Sequence, residues 1–209
     1  MRVKICGLTR VQDIDRALEN GADSIGIILY EGSPRFVPDE NLPKLLSLIP
    51  PEKRVAVDVA PSNKKLHRLV DLGFHSFQLH FKASLPNEQM AQWSQIVGRD
   101  QLWLAPRLVP NTPFPQKLFE YADTFLIDTY VKGGYGGSGK TGNWPAFRQL
   151  QEMHPGQKWV LAGGLNPDNI LAAIKATGTQ AVDINSGIEN APGVKDIKKM
   201  DQIFELIST

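Results

Sequence analysis

Short apolar runs rich in β-branched residues recur along the chain, and the segments between them repeat apolar residues at every third or fourth position. Eight such runs lie at residues 3–6, 24–30, 54–59, 76–80, 102–108, 124–128, 159–163 and 181–185. Between them, spacings such as Val11, Ile14 and Leu18 are typical of amphipathic helices that cover a sheet. The pattern predicts eight strands that alternate with eight helices.

Residues that typically begin and end helices agree with this division. Asn166 and Pro167 are expected to be the N-cap and the first residue of one helix. Gly21, Gly73 and Gly178 follow helical segments, where a left-handed C-cap favours glycine. The predicted elements therefore have boundaries as well as a period.

A strict alternation of strands and helices requires parallel strands joined by right-handed crossovers. Eight units of about 26 residues fit the 209 residues of the chain and can close into a barrel. An open doubly wound sheet is the alternative, but "CGLTRVQD" after the first strand lacks the G-x-G-x-x-G pattern that such sheets often carry. The sequence therefore predicts an α/β fold in which residues 1–209 form a single-domain (βα)8 TIM barrel. In such barrels the reactive residues lie at the C-terminal ends of the strands.

The charge balance and the single cysteine exclude several kinds of partner and compartment. There are 23 Lys and Arg residues against 22 Asp and Glu residues, without a basic block, so we expect no nucleic-acid partner. One cysteine excludes an internal disulfide framework. No apolar stretch approaches the ~20 residues of a membrane span or resembles a signal peptide, so we expect a cytoplasmic protein with no membrane contact. The oligomeric state stays open.

The stretch "GGYGGSGKTG" at residues 133–142 contains the G-x-x-x-x-G-K-T pattern of an ATP-binding phosphate loop. That function requires a strand that runs into the loop and a helix that begins at the Lys-Thr pair. The strand at residues 124–128 fits, but Pro145 would lie in the first turns of the required helix, where it lacks an N–H and clashes with the preceding turn. Pro145 instead indicates a later helix start. An ATPase remains the remote alternative.

The first strand places a possible nucleophile or base at the C-terminal end of the barrel. Because side chains alternate along a strand, Lys4 and Cys6 share one face, while Val3 and Ile5 face the helices. An ammonium two residues from the thiol would favour the thiolate and lower a pKa that ordinarily lies near ~8.5. The alternative is an inert, small core residue.

Polar residues at the ends of strands six, seven and eight predict an acid and an anion site. Asp128 ends strand six, where a carboxyl group can act as a general acid, although it can equally brace the loop. Gly163, Gly164, Ser186 and Gly187 offer backbone N–H groups after strands seven and eight, where barrels commonly bind phosphate. Ordinary turn geometry is the alternative for these four residues.

Two further strand ends carry candidate binding residues. Pro34 stiffens the loop before Arg35, and a rigidly held arginine suits bidentate binding of a carboxylate. On strand four, Gln78 and His80 share the face that we expect to point inward. His80 can also be a structural residue, and no second histidine stands at ligand spacing to indicate a metal.

These motifs occur in the order found in one enzyme family. "KICGLT", "SPRFV", "QLH", "LID" followed by "GGSGKTGNW", "LAGGL" and "VDINSGIE" with "PGVKD" closely resemble phosphoribosylanthranilate isomerases of tryptophan biosynthesis. The resemblance spans the whole chain. It implies a TIM barrel that catalyses a cofactor-free Amadori rearrangement of N-(5-phosphoribosyl)anthranilate to the 1-deoxyribulose phosphate. It also implies that the glycine-rich loop faces a phosphate of the substrate and not a nucleotide.

The resemblance also implies roles for single residues. Asp128 would protonate the ribose ring oxygen as general acid, and Cys6 would remove the proton at C2 as general base. Arg35 would hold the anthranilate carboxylate. The residues that would bind the phosphate or other parts of the substrate are Gly139, Gly163, Gly164, Ser186 and Gly187, together with Lys4, His80 and Asp183. The expected partner is thus a small phosphorylated molecule, with no metal or cofactor.

The chain departs from the family pattern at a few positions. Asp58 and Ala60 stand where the family usually has an aromatic residue and asparagine, Phe81 replaces a glycine, and residues 142–143 replace Phe-Asp. If Asp58 points inward, as we expect, its carboxylate could repel an anionic ring. A barrel isomerase or synthase for another phosphorylated sugar is therefore the main alternative, and a non-catalytic barrel is a further one.

Overall fold

The computed structural model describes residues 1–82, 84–108, 112–128 and 143–208. Eight parallel strands form a closed barrel in chain order, and β1 pairs with β8 to close it. The strands are β1 Arg2–Cys6, β2 Ser24–Ile28, β3 Arg54–Val59, β4 Ser76–Lys82, β5 Leu102–Arg107, β6 Thr124–Ile127, β7 Lys158–Leu161 and β8 Ala181–Ile184. The predicted TIM barrel is confirmed, and the open sheet is excluded.

Helices follow the strands with one exception. The α-helices among the described residues are α1 Val11–Glu19, α2 Leu42–Leu46, α3 Asn63–Asp71, α4 Asn87–Val97, α5 Trp144–Met153, α6 Ile170–Thr177 and α7 Ile197–Ser208. Between β5 and β6, where an eighth helix was predicted, the described residues contain a 3-10 helix, Gln116–Glu120. Pro113 and Pro115 precede it, and both lack an N–H and restrict the residue before them, so little chain remains for an α-helix.

Shorter elements complete the described chain. Further 3-10 helices span Asp39–Asn41, Pro51–Lys53 and Ser186–Ile188. After β8, the strands β9 (Glu189–Ala191) and β10 (Val194–Lys195) form an antiparallel hairpin. Within the described residues, no helix combines the length and the apolar character that crossing a membrane requires.

The two faces of the strands pack into different layers. Val3 and Ile5 of β1 belong to the apolar layer between sheet and helices, whereas Cys6 packs inside the barrel with Ile28 and Val57. The predicted alternation on β1 is confirmed. Full burial of an aliphatic side chain typically contributes about 1.5–3 kcal/mol, so this outer layer fixes each strand end in place.

The starts of two helices bear on the predictions. Pro145 is in the first turn of α5, and the Asn143 side chain caps that helix by accepting from the Ala146 N–H at 3.2 Å. The helix thus begins at Trp144, as the position of Pro145 predicted, and not at the Lys-Thr pair that an ATP-binding loop requires. The Lys-Thr pair itself, residues 140–141, lies outside the described residues.

The predicted start of α6 is wrong by a few residues. Asn166 accepts a hydrogen bond from the Asp168 N–H at 2.9 Å, which forms a turn, and the N-cap of α6 is Asn169. The Asn166 side chain therefore stabilises a turn before α6 and does not cap the helix. The predicted C-terminal glycines are confirmed, since Gly178 has a φ of 66° and the glycines at 21 and 73 also have positive φ.

Candidate active site

A cavity of 340 Å³ opens at the C-terminal ends of the barrel strands, which we call the mouth. Nine of the predicted site residues line it: Cys6, Arg35, His80, Asp128, Gly163, Gly164, Asp183, Ser186 and Gly187. Gly139 lies outside the described residues. Lys4 is not among the lining residues, so the fold brings together nearly the whole predicted set and leaves one residue beneath it.

Lys4 lies inside the barrel and pairs with Asp183. Its Nζ is 2.7 Å from Asp183 Oδ1, and both side chains are buried. Burial opposes the charge on Lys4, but the negative charge of Asp183 and that of Cys6 in its thiolate form together raise the pKa of Lys4, so Lys4 stays an ammonium. Lys4 therefore acts from below the cavity, as a buried cation beside Asp183 and Cys6.

The expected lowering of the Cys6 pKa is wrong. Burial and then the negative charge of Asp183 raise the pKa of the Cys6 thiol more than Lys4 lowers it. The thiol is only 2 % exposed, which explains why burial has the largest effect. Thiolate formation at Cys6 consequently depends on the cations nearby, which include Lys4 and Lys195.

Gly26 leaves the space that this pair of groups occupies. It lies beside Cys6 in the register of β1 and β2. A Cβ atom at Gly26 would be 2.8 Å from Cys6 Sγ and 2.8 Å from Lys4 Nζ. Any larger residue at this position would displace the thiol or the ammonium.

Gln78 and His80 both point inward, as predicted. Their Nε2 atoms are 2.9 Å apart, and both residues line the cavity. Burial first and the charge of Lys4 second lower the pKa of His80 to about 4, so the imidazole is neutral at physiological pH. The buried Oε1 of Gln78 has no hydrogen-bond partner among the described residues.

The loops after β7 and β8 border the cavity. The backbone N–H groups of Gly163, Gly164, Ser186 and Gly187 have no acceptor within the part of the chain that the structure describes. A Cβ atom at Gly187 would be 1.9 Å from the carbonyl oxygen of Leu165, so the two loops are in direct contact there. Unpaired N–H groups that border a cavity suit a phosphate group.

Arg35 meets a partner that the sequence analysis did not assign. Its Nη2 donates to Glu189 Oε2 at 2.7 Å, and Lys195 Nζ lies 2.9 Å from Glu189 Oε1. These charged residues belong to the motifs "SGIE" and "PGVKD". Charges of opposite sign on either side of a Pro-Gly turn after the last barrel strand are the signal that could have identified them.

The expected inward position of Asp58 is wrong. Val57 pairs in register with Gln78, which points inward, so Asp58 has the opposite orientation and shares it with Leu79. Asp58 borders the rim of the cavity, but Lys65 Nζ of α3 lies 2.6 Å from its Oδ2. Its carboxylate is therefore paired and does not face a ligand as an isolated anion.

Phe81 also lies away from the cavity. It is 3 % exposed in the layer between sheet and helices, and its ring packs edge-on against Trp93 of α4 at 6.1 Å. The glycine-to-phenylalanine difference thus changes helix packing. Within the described residues, no group of His, Cys, Asp and Glu side chains is arranged to hold a metal ion.

Comparisons with known proteins identify the family to which this chain is similar. Residues 3–206 match the family model described as N-(5'phosphoribosyl)anthranilate (PRA) isomerase. The N-(5'-phosphoribosyl)anthranilate isomerase of Zymomonas mobilis subsp. pomaceae is 34% identical, over 99% of this chain and 98% of that protein.

Solved structures are similar over the same extent. The phosphoribosyl anthranilate isomerase of Thermus thermophilus superposes with a TM-score of 0.79 at 30% identity and covers 100% of this chain and 98% of its own. A phosphoribosyl anthranilate isomerase in complex with reduced 1-(o-carboxyphenylamino)-1-deoxyribulose 5-phosphate gives a TM-score of 0.77 at 27% identity, over 98% of this chain and 97% of its own. This chain belongs to the N-(5'-phosphoribosyl)anthranilate isomerase family.

Proposed function

We propose that this protein isomerises N-(5'-phosphoribosyl)anthranilate to 1-(2-carboxyphenylamino)-1-deoxyribulose 5-phosphate, a step of tryptophan biosynthesis. The observation that carries the proposal is the arrangement around one cavity, where Cys6, Asp128 and Arg35 meet the N–H groups of two glycine loops. A thiol, a carboxyl group and two anion sites are what a substrate with a phosphate at one end and a carboxylate at the other requires.

The proposed chemistry needs one acid and one base. Asp128 donates a proton to the ribose ring oxygen, the C1–O bond breaks, and the nitrogen lone pair forms the C1=N bond of a Schiff base. The Cys6 thiolate then removes the proton from C2, and the electrons of that C–H bond form a C1=C2 enolamine. Transfer of the hydroxyl proton and protonation at C1 give the ketose, so the reaction is a net isomerisation without a redox partner.

Binding and chemistry are assigned to different groups. Arg35 holds the ring carboxylate, while the loops at Gly163, Gly164, Ser186 and Gly187 hold the phosphate. Lys4 acts indirectly, because its buried ammonium favours the thiolate form of Cys6. Anchoring the substrate at both ends places C2 near the base, and positioned reaction partners lower the barrier substantially.

An assay with freshly generated phosphoribosylanthranilate tests the proposal. We expect loss of the substrate with formation of the anilino-deoxyribulose phosphate, which the change in anthranilate fluorescence monitors. We also expect the protein to restore growth of a tryptophan auxotroph that lacks this step. Absence of turnover in a folded protein, with turnover of another sugar phosphate, would contradict it.

Ligand-dependent melting separates the proposal from ATP binding. Phosphate or a sugar phosphate should raise the melting temperature, because binding to the folded state adds about 2.7 kcal/mol at one hundred times the dissociation constant. ATP with magnesium should have no effect. A shift with ATP alone would support a nucleotide site instead.

The remaining parts of the proposal concern domain organisation, location in the cell and the class of ligand. We infer that residues 1–209 act as one domain in the cytoplasm and that a small phosphorylated molecule, not a nucleic acid, is the ligand. The near-equal numbers of basic and acidic residues support the absence of a nucleic-acid ligand. Fractionation of cells and binding measurements with duplex DNA and RNA test these points.

A further inference from the structure

The guanidinium of Arg35 is bound along one edge only. Its Nε lies 2.9 Å from Glu189 Oε1 and 3.1 Å from Oε2, and its Nη2 lies 2.7 Å from Oε2. This bidentate contact uses the edge formed by Nε and Nη2. The other edge, formed by Nη1 and the second Nη2 hydrogen, has no acceptor among the described residues. A guanidinium offers two such edges, and each matches a carboxylate.

Glu189 is itself held by several donors. Lys195 Nζ lies 2.9 Å from Glu189 Oε1, and the Gly193 N–H donates to the same oxygen at 3.2 Å. The Glu189 side chain is 5 % exposed, and that of Lys195 is fully buried. A carboxylate fixed in this way cannot rotate freely, so it fixes the plane of the guanidinium that it binds.

Lys195 connects this contact to the barrel. Its Nζ also donates to Asn185 Oδ1 at 2.9 Å and to the Asn185 carbonyl at 3.1 Å. Its backbone N–H donates to Asp13 Oδ2 of α1 at 3.1 Å. The β9–β10 hairpin is thereby attached both to the end of β8 and to the first helix.

The sum of charges at the cluster determines how Arg35 acts on a ligand. Arg35 and Glu189 alone would be electrically neutral and would attract an anion only weakly. Lys195 adds one positive charge, so the three side chains carry a net charge of about +1. Lys195 is too deeply buried to reach a ligand, so it acts by offsetting Glu189.

We propose that Glu189 and Lys195 are positioning residues that hold the free edge of Arg35 toward the carboxylate of the substrate ring, and so set the preference for a carboxylated ligand. The inference rests on the proposed function, because it assigns Arg35 to that carboxylate. Glu189 and Lys195 do not contact the reacting atoms in this scheme.

The test compares two ligands that differ only in the ring carboxylate. One is reduced 1-(2-carboxyphenylamino)-1-deoxyribulose 5-phosphate, and the other is its phenylamino counterpart without the carboxylate. Calorimetric titration gives the ratio of their dissociation constants for each protein. For the wild type we expect a preference of roughly 10- to 100-fold for the carboxylated ligand, the range of a charged hydrogen-bonded contact.

Glu189→Gln should lower this preference by roughly tenfold, because the neutral amide fixes the guanidinium less firmly. Binding of the phenylamino ligand should change by less than about twofold, since its phosphate contacts are intact. A merely structural role would weaken both ligands alike. An unchanged preference, an equal loss for both ligands, or tighter binding of the carboxylated ligand, which would show that Glu189 competes for Arg35, would each overturn the inference.

Two further proteins complete the design. Glu152→Gln removes a carboxylate from an exposed ion pair with Arg148 and should leave the preference unchanged. If Glu189→Gln does not fold, Glu189→Asp keeps the charge on a shorter side chain and should lower the preference by a smaller factor. An Asp variant with the full preference would then refute the positioning role. A wild type that binds neither ligand contradicts the proposed function itself. A wild type that binds both equally contradicts the assignment of Arg35 to the carboxylate together with this inference, while the isomerase activity is tested separately by the turnover assay.

Discussion

Two buried carboxylates at the mouth of the barrel, Glu189 and Asp58, differ in the number of hydrogen-bond donors that surround them. Glu189, after β8, lies within hydrogen-bond distance of Arg35, Lys195 and the Gly193 N–H. Asp58, on β3, has the Lys65 ammonium at 2.6 Å and accepts from the Val59 N–H at 2.7 Å. Their side chains are 5 % and 2 % exposed, so burial is nearly the same at both positions.

The pKa values of these two groups move in opposite directions. Burial raises the pKa of Glu189, but the hydrogen bonds and charges of Arg35 and Lys195 outweigh it, and the net pKa is lowered. At Asp58 burial outweighs the contacts of Lys65 and the Val59 N–H, and the net pKa is raised. The comparison teaches that the number of cations around a buried carboxylate, and not burial alone, decides whether its charge stabilises the fold.

The largest difference between the two sides of the mouth should appear in turnover. Cys6→Ser and Asp128→Asn each keep the shape of the side chain but remove the proposed base or acid, so kcat should fall by roughly 10²- to 10⁴-fold with little change in ligand affinity. Asp58→Asn should lower kcat by less than roughly tenfold, because its carboxylate pairs with Lys65 and does not reach the reacting atoms.

Steady-state kinetics, binding of the reduced product analogue and circular dichroism measure these effects. Near-normal turnover in a folded Cys6→Ser protein would remove Cys6 as the base, and the same result for Asp128→Asn would remove the acid. A loss of a hundredfold or more in Asp58→Asn would instead show that the β3 side takes part in the chemistry.

A smaller loss is expected from Gly26→Ala, which crowds the Cys6 side of the mouth. The new methyl group would lie 2.8 Å from Cys6 Sγ and from Lys4 Nζ, so one of them must move. Displacement of a reacting group by about 1 Å can cost roughly a hundredfold, and we expect at least a tenfold fall in kcat. Gly156→Ala is the matched control, because a Cβ atom there meets nothing within 4 Å. Equal activity of the two variants would show that Cys6 and Lys4 tolerate displacement.

The sequence predicted the fold and the strand ends because both depend on short-range patterns. The alternation on β1 was readable, since Lys4 and Cys6 are polar or reactive where Val3 and Ile5 are apolar. On β3 it was not readable. A barrel strand is buried on both faces, so "VAVDV" shows no apolar and polar alternation from which the orientation of Asp58 could be deduced.

The electrostatics of the site could not be predicted in the same way. Lys4 was visible beside Cys6, but Asp183, which is 179 positions away in the chain, reaches Lys4 only when β8 pairs with β1. The same closure brings Lys195 to within hydrogen-bond distance of Asp13 in α1. Long-range pairs of this kind determine the pKa of Cys6 and the position of Arg35, and no local spacing encodes them.

Backbone strain next to β3 can be relieved by a single substitution, which should give a modest gain in stability. Ala60, which directly follows β3, has a φ of 43°, and its N–H donates to the His80 carbonyl at 2.9 Å. The left-handed conformation costs an alanine roughly 1 kcal/mol, and asparagine adopts it more readily. Ala60→Asn should therefore raise the melting temperature by about 2–4 °C in a protein of this size.

Thermal unfolding measures this effect, and Ala60→Val provides the control. A β-branched residue tolerates the left-handed region less well than alanine, so the valine variant should melt at a lower temperature than the wild type. Because Ala60 is exposed, neither substitution changes the packing of the core. Equal melting temperatures for both variants would show that the backbone at Ala60 carries no strain.

The smallest effects, but the sharpest test of the comparison, should appear in the pH dependence of stability. The folded state lowers the pKa of Glu189, so its contribution is present above the unfolded pKa near 4.5 and is lost as pH falls through the folded value. The folded state raises the pKa of Asp58, so its contribution is present below the unfolded pKa near 3.8 and is lost as pH rises through the folded value.

The two neutral variants should therefore change in opposite directions. As pH rises from about 3.5 to 7, Glu189→Gln should become less stable relative to the wild type, whereas Asp58→Asn should become more stable relative to it. Urea unfolding at several pH values measures both differences, and the exposed Glu152→Gln variant should show neither trend. If the two differences run in the same direction, burial alone governs both carboxylates, and the contrast between the Arg35 side and the Lys65 side is wrong. If they diverge, the donors around each group decide its charge, and the cluster around Arg35 is the side of the mouth where a fixed negative charge stabilises the site.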